Sequence, residues 1–213
     1  MFDPINIEDT QTNINWQFTP LFPKPVSISF VEEECCNMLK EQADSIHWVY
    51  DAPNSGSINS GVSANRYVLN QNNHLKEYLL EFCSSGLKIL GYDNEIQIST
   101  SWFTLTCENG MSREHKHTNS WYSAVLYFDD YDDTSSVISF SEQLQQIHVE
   151  PSINNYMNSC AFKVHPAKGM LLMFPSETMH QVAHGLNSNE RRSLAFNMMP
   201  KGETGSSDST FSY

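Results

Sequence analysis

The sequence predicts an α+β fold in which two N-terminal helices support a double-stranded β-helix, or jelly-roll, core. Apolar residues recur at helical spacing before residue 90, whereas side chains alternate with a period of two from about residue 95. About eight short strands then follow the two helices, an order typical of a β-sandwich or jelly roll. A chain of 213 residues is long enough for one domain with a sizeable core.

The first half of the chain predicts two amphipathic helices, over about residues 30–46 and 73–90, the second ending at Gly91. Residues 1–25 contain four prolines and are predicted as an extended lead-in without a helix. The segment 51–65 is rich in Ser, Asn and Gly, and we predict a loop there that covers a site.

The second half predicts a run of strands. They cover about residues 95–104, 121–128, 136–141, 146–150, 160–165, 169–174, 180–183 and 191–198. We therefore expect a single domain over residues 1–200, with helical support over 26–92 and the jelly-roll core over 93–200. The polar segment 201–213 predicts a disordered tail.

Composition restricts the partners and the compartment. A net charge of −13 with only 12 Lys and Arg leaves no basic stripe for phosphates, so we expect no nucleic-acid partner. No apolar run or signal pattern predicts a membrane segment or export, and five cysteines without a C-x-x-C pair favour free thiols in a reducing, cytoplasmic compartment. The expected partner is a small-molecule or peptide substrate, and a homodimer is compatible with the sequence.

The most informative residues are three histidines. His115 and His117 are spaced i, i+2, which points both imidazoles the same way on an extended segment. His180, from a distant predicted strand, can complete one face of a metal. This is the layout expected of a mononuclear iron site with open positions, as in non-haem Fe(II) oxygenases. His184 is a weaker candidate.

An arginine follows the third histidine at a spacing that suits an anionic co-substrate. Arg191 shares a strand face with the small residues Ser193 and Ala195, whereas Arg192 lies on the opposite face. A planar guanidinium matches a carboxylate bidentately, so we predict that Arg191, with Ser193 as second donor, binds a carboxylate. Tyr127 is predicted to point inward, either to the co-substrate or into the core.

Three sequence blocks in this order resemble the 2-oxoglutarate/Fe(II)-dependent oxygenase superfamily. Residues 110–128 read GMSREHKHTNSWYSAVLYF, residues 168–182 read KGMLLMFPSETMHQV, and residues 190–197 read ERRSLAFN. They most resemble a small uncharacterised branch that carries H-x-H, then G-x-L-x-x-F-P-x-x-x-x-H-x-V, then R-x-S-x-A-F-N, and that is similar to marine bacteriophage proteins. The resemblance covers roughly residues 96–198, and a phage origin would place the protein in the host cytoplasm.

The resemblance implies Fe(II) at His115, His117 and His180, with 2-oxoglutarate and O2 as co-substrates and succinate, CO2 and a hydroxylated substrate as products. It also implies that Arg191 and Ser193 anchor the 5-carboxylate of 2-oxoglutarate. The usual second ligand of the superfamily is Asp or Glu, so His117 is a departure, and the alternative is that it only forms a hydrogen bond. A cupin-like metalloprotein that does not use 2-oxoglutarate, and a non-catalytic protein on the same fold, remain open at this point.

Overall fold

The computed structural model describes residues 5–9, 14–18, 22–50, 57–142, 149–153, 155 and 157–213. The helices are α1 (Glu33–Asp44) and α2 (Asn73–Ile89), with short 3-10 turns at Val68–Gln71 and Ser207–Ser209. The strands are β1 (Ile5–Asp9), β2 (Ile14–Phe18), β3 (Ser27–Phe30), β4 (Trp48–Tyr50), β5 (Ile58–Ser63), β6 (Ile96–Met111), β7 (Tyr122–Leu126), β8 (Ile138–Ser141), β9 (Ala161–Val164), β10 (Met170–Pro175), β11 (Met179–Val182), β12 (Arg191–Pro200), β13 (Glu203–Thr204) and β14 (Phe211–Ser212).

Two antiparallel sheets form the core, which confirms the predicted double-stranded β-helix. The major sheet has the strand order β3-β10-β7-β12-β6-β5-β4, and the minor sheet has the order β11-β8-β9. Leu172 and Phe174 of the major sheet pack between the layers against Ile138, Phe140 and Val164 of the minor sheet. The space between the layers is therefore partly filled with apolar side chains, and the rest of it holds the site described below.

Both helices cover the outer face of the major sheet. Leu39 of α1 and Leu79 of α2 are fully buried in the same apolar cluster as Leu126, Leu194 and Phe196 of the sheet. The even-numbered residues of β12 thus face the helices, and its odd-numbered residues face the minor sheet. The alternation predicted for this strand is confirmed, and it fixes which side chains can reach the inter-sheet space.

Helix α2 begins and ends as its sequence predicts. The Asn72 side chain caps the N-terminus by accepting a hydrogen bond from the Leu75 N–H at 3.1 Å. Gly91 follows the helix with φ of +90°, a left-handed conformation that suits glycine. No helix within the described residues is long and apolar enough to cross a membrane.

Two predictions about local structure are wrong. Part of the predicted loop 51–65 is strand β5, which pairs with β6 inside the major sheet, while residues 51–56 lie outside the described part of the chain. The predicted disordered tail instead forms a small ladder, in which β13 pairs with β14 and Gly202 exchanges backbone hydrogen bonds with Tyr213. Gly202 and Gly205 have positive φ, which allows the tight reversal of the chain.

Most of the predicted strand 146–150 lies outside the described residues. The cysteines carry no disulfide bond among the described residues, as predicted from their spacing. Cys35, Cys36 and Cys83 are buried thiols, whereas Cys160 is exposed.

Candidate active site

The three predicted histidines lie together at one end of the inter-sheet space. One ring nitrogen from each of His115, His117 and His180 can be chosen such that all three lie within 4.8 Å of one another. His115 and His180 form an isolated antiparallel bridge, and the His117 N–H donates to the Ser176 carbonyl at 2.9 Å. His184 is exposed and does not belong to this group.

Hydrogen bonds at the outer nitrogens set the tautomers of two of these rings. His115 Nδ1 lies 2.9 Å from the Arg113 carbonyl oxygen, and His180 Nδ1 lies 2.9 Å from the Thr178 carbonyl oxygen. Because a carbonyl oxygen only accepts, each Nδ1 carries the proton and donates it. Each Nε2 then keeps its lone pair, as a metal-ligating histidine requires.

His117 has side-chain partners instead of a backbone carbonyl. Its Nδ1 lies 2.6 Å from Asn197 Oδ1 and 2.9 Å from Ser123 Oγ. Its ring also lies 5.5 Å from the Trp102 ring, measured between centroids. These contacts hold the ring on the side of the cluster that faces β7 and β12.

Burial favours the uncharged imidazoles. Burial, and then the neighbouring His115, lowers the pKa of His180 to about 3. Burial also lowers the pKa of His117 below its ordinary value. Both rings are thus neutral near pH 7, which is the protonation state that binds a metal.

The histidines line a cavity of about 170 Å³ between the two sheets. Among the described residues, no Asp or Glu lines it, although the chain as a whole has a net charge of −13. Its other lining residues are Ser57, Ser60, Gly61, Val62, Trp102, Thr104, Leu105, Thr106, Ser112, Val125, Ile138, Val182, Arg191, Ser193 and Ala195. The cavity is therefore apolar and hydroxyl-rich, and it contains one fixed positive charge.

That charge belongs to Arg191, which is only 1% exposed. Its Nε donates to the Ser136 carbonyl at 2.8 Å, and its Nη2 donates to the Tyr127 hydroxyl at 3.0 Å. Within the part of the chain that the structure describes, its Nη1 has no hydrogen-bond partner and no carboxylate pairs with it. A buried guanidinium without a counter-charge is costly, so the arrangement suits an anion that enters the cavity.

Ser193 lies beside Arg191 on the same face of β12. Its Oγ is 2.7 Å from the Thr104 Oγ1 on β6, directly across the ladder. Because one hydroxyl donates to the other, the pair has one proton left to donate to a ligand in the cavity that Arg191 also lines. Thr104 was not identified from the sequence, because only the pairing of β6 with β12 brings it to this position.

Arg192 points the other way, as its strand phase predicts. It forms ion pairs with Asp129 at 2.6 Å and with Asp44 of α1 at 2.6 Å. Its guanidinium also lies over the Phe128 ring, 5.7 Å from the centroid. Arg192 is a structural residue of the helix-facing side and does not reach the cavity.

Tyr127 points inward as predicted, but it does not line the cavity. It is fully buried, and its hydroxyl contacts Arg191 instead. The Arg191 guanidinium carbon lies 5.0 Å from the centroid of its ring. Burial raises the pKa of Tyr127, so the phenol stays neutral and leaves the charge of Arg191 uncompensated.

About half of the chain matches a known protein family. Residues 100–197 match the family model described as "Putative 2OG-Fe(II) oxygenase". This segment is therefore similar to the 2-oxoglutarate/Fe(II) oxygenases. The matched segment includes all three histidines, Arg191 and Ser193. No curated protein matches the sequence.

Solved 2-oxoglutarate/Fe(II) oxygenases share the fold at low sequence identity. A Pseudomonas putida prolyl-4-hydroxylase has a TM-score of 0.53 at 17% identity, over 84% of this chain and 94% of its own. Streptomyces hygroscopicus HygX, with nickel and 2-oxoglutarate bound, has a TM-score of 0.57 at 9% identity, over 83% of each chain. A Trichoplax adhaerens prolyl hydroxylase, bound to a peptide fragment, has a TM-score of 0.54 at 11% identity, over 82% of this chain and 83% of its own.

The residues of the cavity fit the metal that this superfamily implies. Three clustered imidazoles, two of them with Nε2 directed away from a backbone hydrogen bond at Nδ1, suit Fe(II), and equally Ni(II) or Zn(II). The unpartnered Nη1 of Arg191 and the absence of acids from the described lining suit a dicarboxylate beside that metal. The site can thus hold a divalent cation and an anion in one cavity.

Proposed function

We propose that this protein is an Fe(II)- and 2-oxoglutarate-dependent dioxygenase that hydroxylates a substrate and releases succinate and CO2. The observation that carries the proposal is the buried Arg191, which lies in the same cavity as the three histidines and has no acidic side chain beside it in the described lining. A protein that held only a metal would have no need for such a guanidinium. This distinguishes the proposal from the cupin-like alternative.

The three imidazoles of His115, His117 and His180 would hold the metal. When bound, Fe(II) would supply a coordination site for 2-oxoglutarate and the activation of O2. The protein provides a fixed set of lone pairs, since the hydrogen bond at each Nδ1 prevents the ring from turning. It also excludes water from the anion side, where Leu105, Val125 and Ile138 contribute apolar surface.

Arg191 would bind the 5-carboxylate of 2-oxoglutarate. Its Nε and Nη2 are held by the Ser136 carbonyl and the Tyr127 hydroxyl, so Nη1 is presented in one orientation. The pair of hydroxyls formed by Ser193 and Thr104 has one proton left to donate to the same carboxylate. A charge-assisted pair in a dry cavity is stronger than a surface pair, and its direction orients the co-substrate toward the histidines.

The substrate class stays broad. The neighbouring structures include a prolyl hydroxylase with a bound peptide fragment and HygX with bound hygromycin B. We propose that a small molecule or one residue of a peptide enters the cavity beside the metal. Metal binding, 2-oxoglutarate binding and succinate formation can all be measured without knowledge of the substrate.

The test is turnover of 2-oxoglutarate without substrate. Protein loaded anaerobically with Fe(II) is exposed to O2 and 2-oxoglutarate, and succinate is quantified. We expect slow, iron-dependent succinate formation that is lost in His180→Ala. Iron binding without any succinate or any 2-oxoglutarate affinity would favour the cupin-like metalloprotein, and failure to bind metal would favour a non-catalytic role.

A further inference from the structure

We propose that Asn197 is a positioning residue that makes His117 a metal ligand by selecting its tautomer. The inference rests on the proposed function, in which His117 holds the metal. It adds a residue to the site and a physical reason why a histidine replaces the carboxylate that the superfamily usually has there. Ser123 and Thr100 assist by fixing the orientation of the Asn197 amide.

Strand pairing brings these side chains together from three neighbouring strands. Asn197 of β12 lies opposite Ser123 of β7 and opposite Thr100 of β6. The ladder of β12 with β6 shifts register immediately afterwards, between Asn197 and Met198. Such an irregularity re-aims the side chain next to it, and here the Asn197 side chain reaches His117.

The hydrogen bonds around the amide assign its two ends. Asn197 Nδ2 donates to Thr100 Oγ1 at 3.1 Å, which leaves Oδ1 for the other side. Ser123 Oγ donates its proton to Oδ1 at 2.8 Å and lies 2.8 Å from Ser176 Oγ, from which it can accept. Because an amide oxygen only accepts, the proton between His117 and Asn197 must come from His117 Nδ1. The Ser123 hydroxyl, whose proton goes to Oδ1, does not donate to Nδ1 in its place.

The orientation of the amide therefore decides where the His117 proton lies. With Oδ1 toward the ring, Nδ1 is protonated and Nε2 keeps the lone pair that a metal needs. If the amide were reversed, its NH2 group would donate to Nδ1, and the proton would move to Nε2 and block the metal. Thr100 accepts from Nδ2, which stabilises the observed orientation of the amide.

A neutral amide also has a different effect from a carboxylate at the same place. A carboxylate behind a ligating histidine raises its basicity, whereas an amide oxygen fixes the ring without adding negative charge. Since no Asp or Glu of the described chain lines the cavity, the donor set stays uncharged. The full charge of the metal then remains available to an anionic co-substrate.

The test is the affinity for Co(II), measured by anaerobic titration of the metal-free protein and followed by the d–d absorption of the bound ion. Asn197→Leu removes the acceptor at similar volume, and we expect Co(II) to bind roughly 10- to 100-fold more weakly. Asn197→Asp keeps an acceptor oxygen and should bind as tightly as the wild type or more tightly. Asn189→Leu, an exposed asparagine outside the cavity, serves as the control and should change nothing.

A double-mutant cycle separates positioning from a general structural role. In a His117→Ala background, Asn197→Leu should cause no further loss of Co(II) affinity. A loss of the same size in that background, or an unchanged affinity in Asn197→Leu alone, would overturn the inference. If Asn197→Leu does not fold, Thr100→Val replaces it, with a smaller loss expected in the same direction and no change contradicting the proposal.

Failure of this inference is distinguishable from failure of the proposed function. If wild-type protein binds Co(II) and turns over 2-oxoglutarate while Asn197 has no effect, only the role of Asn197 is wrong. If wild-type protein binds no metal, the proposed function itself fails, and the cycle shows no effect at any position.

Discussion

The backbones of His115 and His180 donate a hydrogen bond to each other, each at 2.9 Å, and their ring centroids lie 4.4 Å apart. The pair bridges the loop after β6 to strand β11 of the minor sheet. Two candidate ligands thus lie on one small ladder of backbone hydrogen bonds. The ladder restricts the separation of the two rings, which lowers the entropy cost of ordering them when a metal binds.

The first prediction concerns metal binding. We expect about one Fe(II) per chain in anaerobically reconstituted protein, and His180→Ala should lose most of that affinity because it removes a buried ligand with a defined tautomer. Equilibrium dialysis with iron quantification measures this. Stoichiometric iron in a His115→Ala/His180→Ala double mutant would contradict the assignment.

The second prediction concerns the unusual ligand. His117→Asp should retain iron, since it supplies the carboxylate that is usual in the superfamily, whereas His117→Ala should bind iron more weakly. The added negative charge of the Asp variant should also weaken 2-oxoglutarate binding relative to metal binding. Separate titrations with metal and co-substrate check both effects. Unchanged iron affinity in His117→Ala would leave His117 as a hydrogen-bonding residue only.

The third prediction is a pH dependence of the metal-free protein. The pKa of folded His180 is about 3, below its ordinary value of 6.5, so the unfolded state takes up the proton first. Stability should therefore fall as the pH decreases from 6.5 toward 3, by up to about 1.4 kcal/mol per pH unit from this group. Urea unfolding of EDTA-treated protein between pH 7.5 and 4.5 measures it. His180→Gln should flatten the curve, and an identical slope in both proteins would refute the explanation.

The fourth prediction concerns Asn187, a buried residue with φ of +45°. It accepts from the Ser136 N–H at 2.8 Å and donates to Ser136 Oγ at 2.7 Å, and the Ser136 carbonyl accepts from Arg191. Asn187→Ala should cost about 2–4 kcal/mol of unfolding free energy. The substitution leaves buried polar groups of Ser136 without their hydrogen-bond partner, and alanine adopts this positive φ less readily than asparagine. Asn189→Ala, on the exposed side of the same loop, should cost much less in the same urea titration. Equal losses would argue against this role.

Strand phase could be predicted from the sequence because it depends only on neighbouring residues. The opposite directions of Arg191 and Arg192 follow from alternation along β12, and the structure places one in the cavity and the other against Asp129. The i, i+2 spacing of His115 and His117 likewise predicted that both imidazoles point the same way, and both belong to the histidine cluster. These predictions required no knowledge of which strands are neighbours.

Contacts between strands could not be predicted in the same way. Asn197 is in phase with Arg191, so its inward direction was available, but its contact with His117 depends on the order β7-β12-β6. Strand β5 was not predicted because its Ser, Asn and Gly residues lack apolar alternation. Its pairing with β6 stabilises the strand, and that pairing cannot be read from the residues of β5 alone.

Substitution of Arg191 tests most directly whether this cavity binds 2-oxoglutarate beside a metal. The measurement is an anaerobic titration of the Fe(II)-loaded protein with 2-oxoglutarate, followed by the metal-to-ligand charge-transfer band, for wild type, Arg191→Ala and Arg192→Ala. Arg192→Ala is the matched control, since its ion pairs with Asp129 and Asp44 lie outside the cavity. It should lower stability and leave co-substrate affinity nearly unchanged.

Arg191→Ala should weaken 2-oxoglutarate binding by roughly 30-fold or more, because truncating one partner of a buried charge-assisted pair costs about 2–5 kcal/mol. Iron binding should survive in both variants. Equal, small effects of the two substitutions on 2-oxoglutarate affinity would contradict the assignment of the cavity and would favour a metalloprotein that does not use this co-substrate.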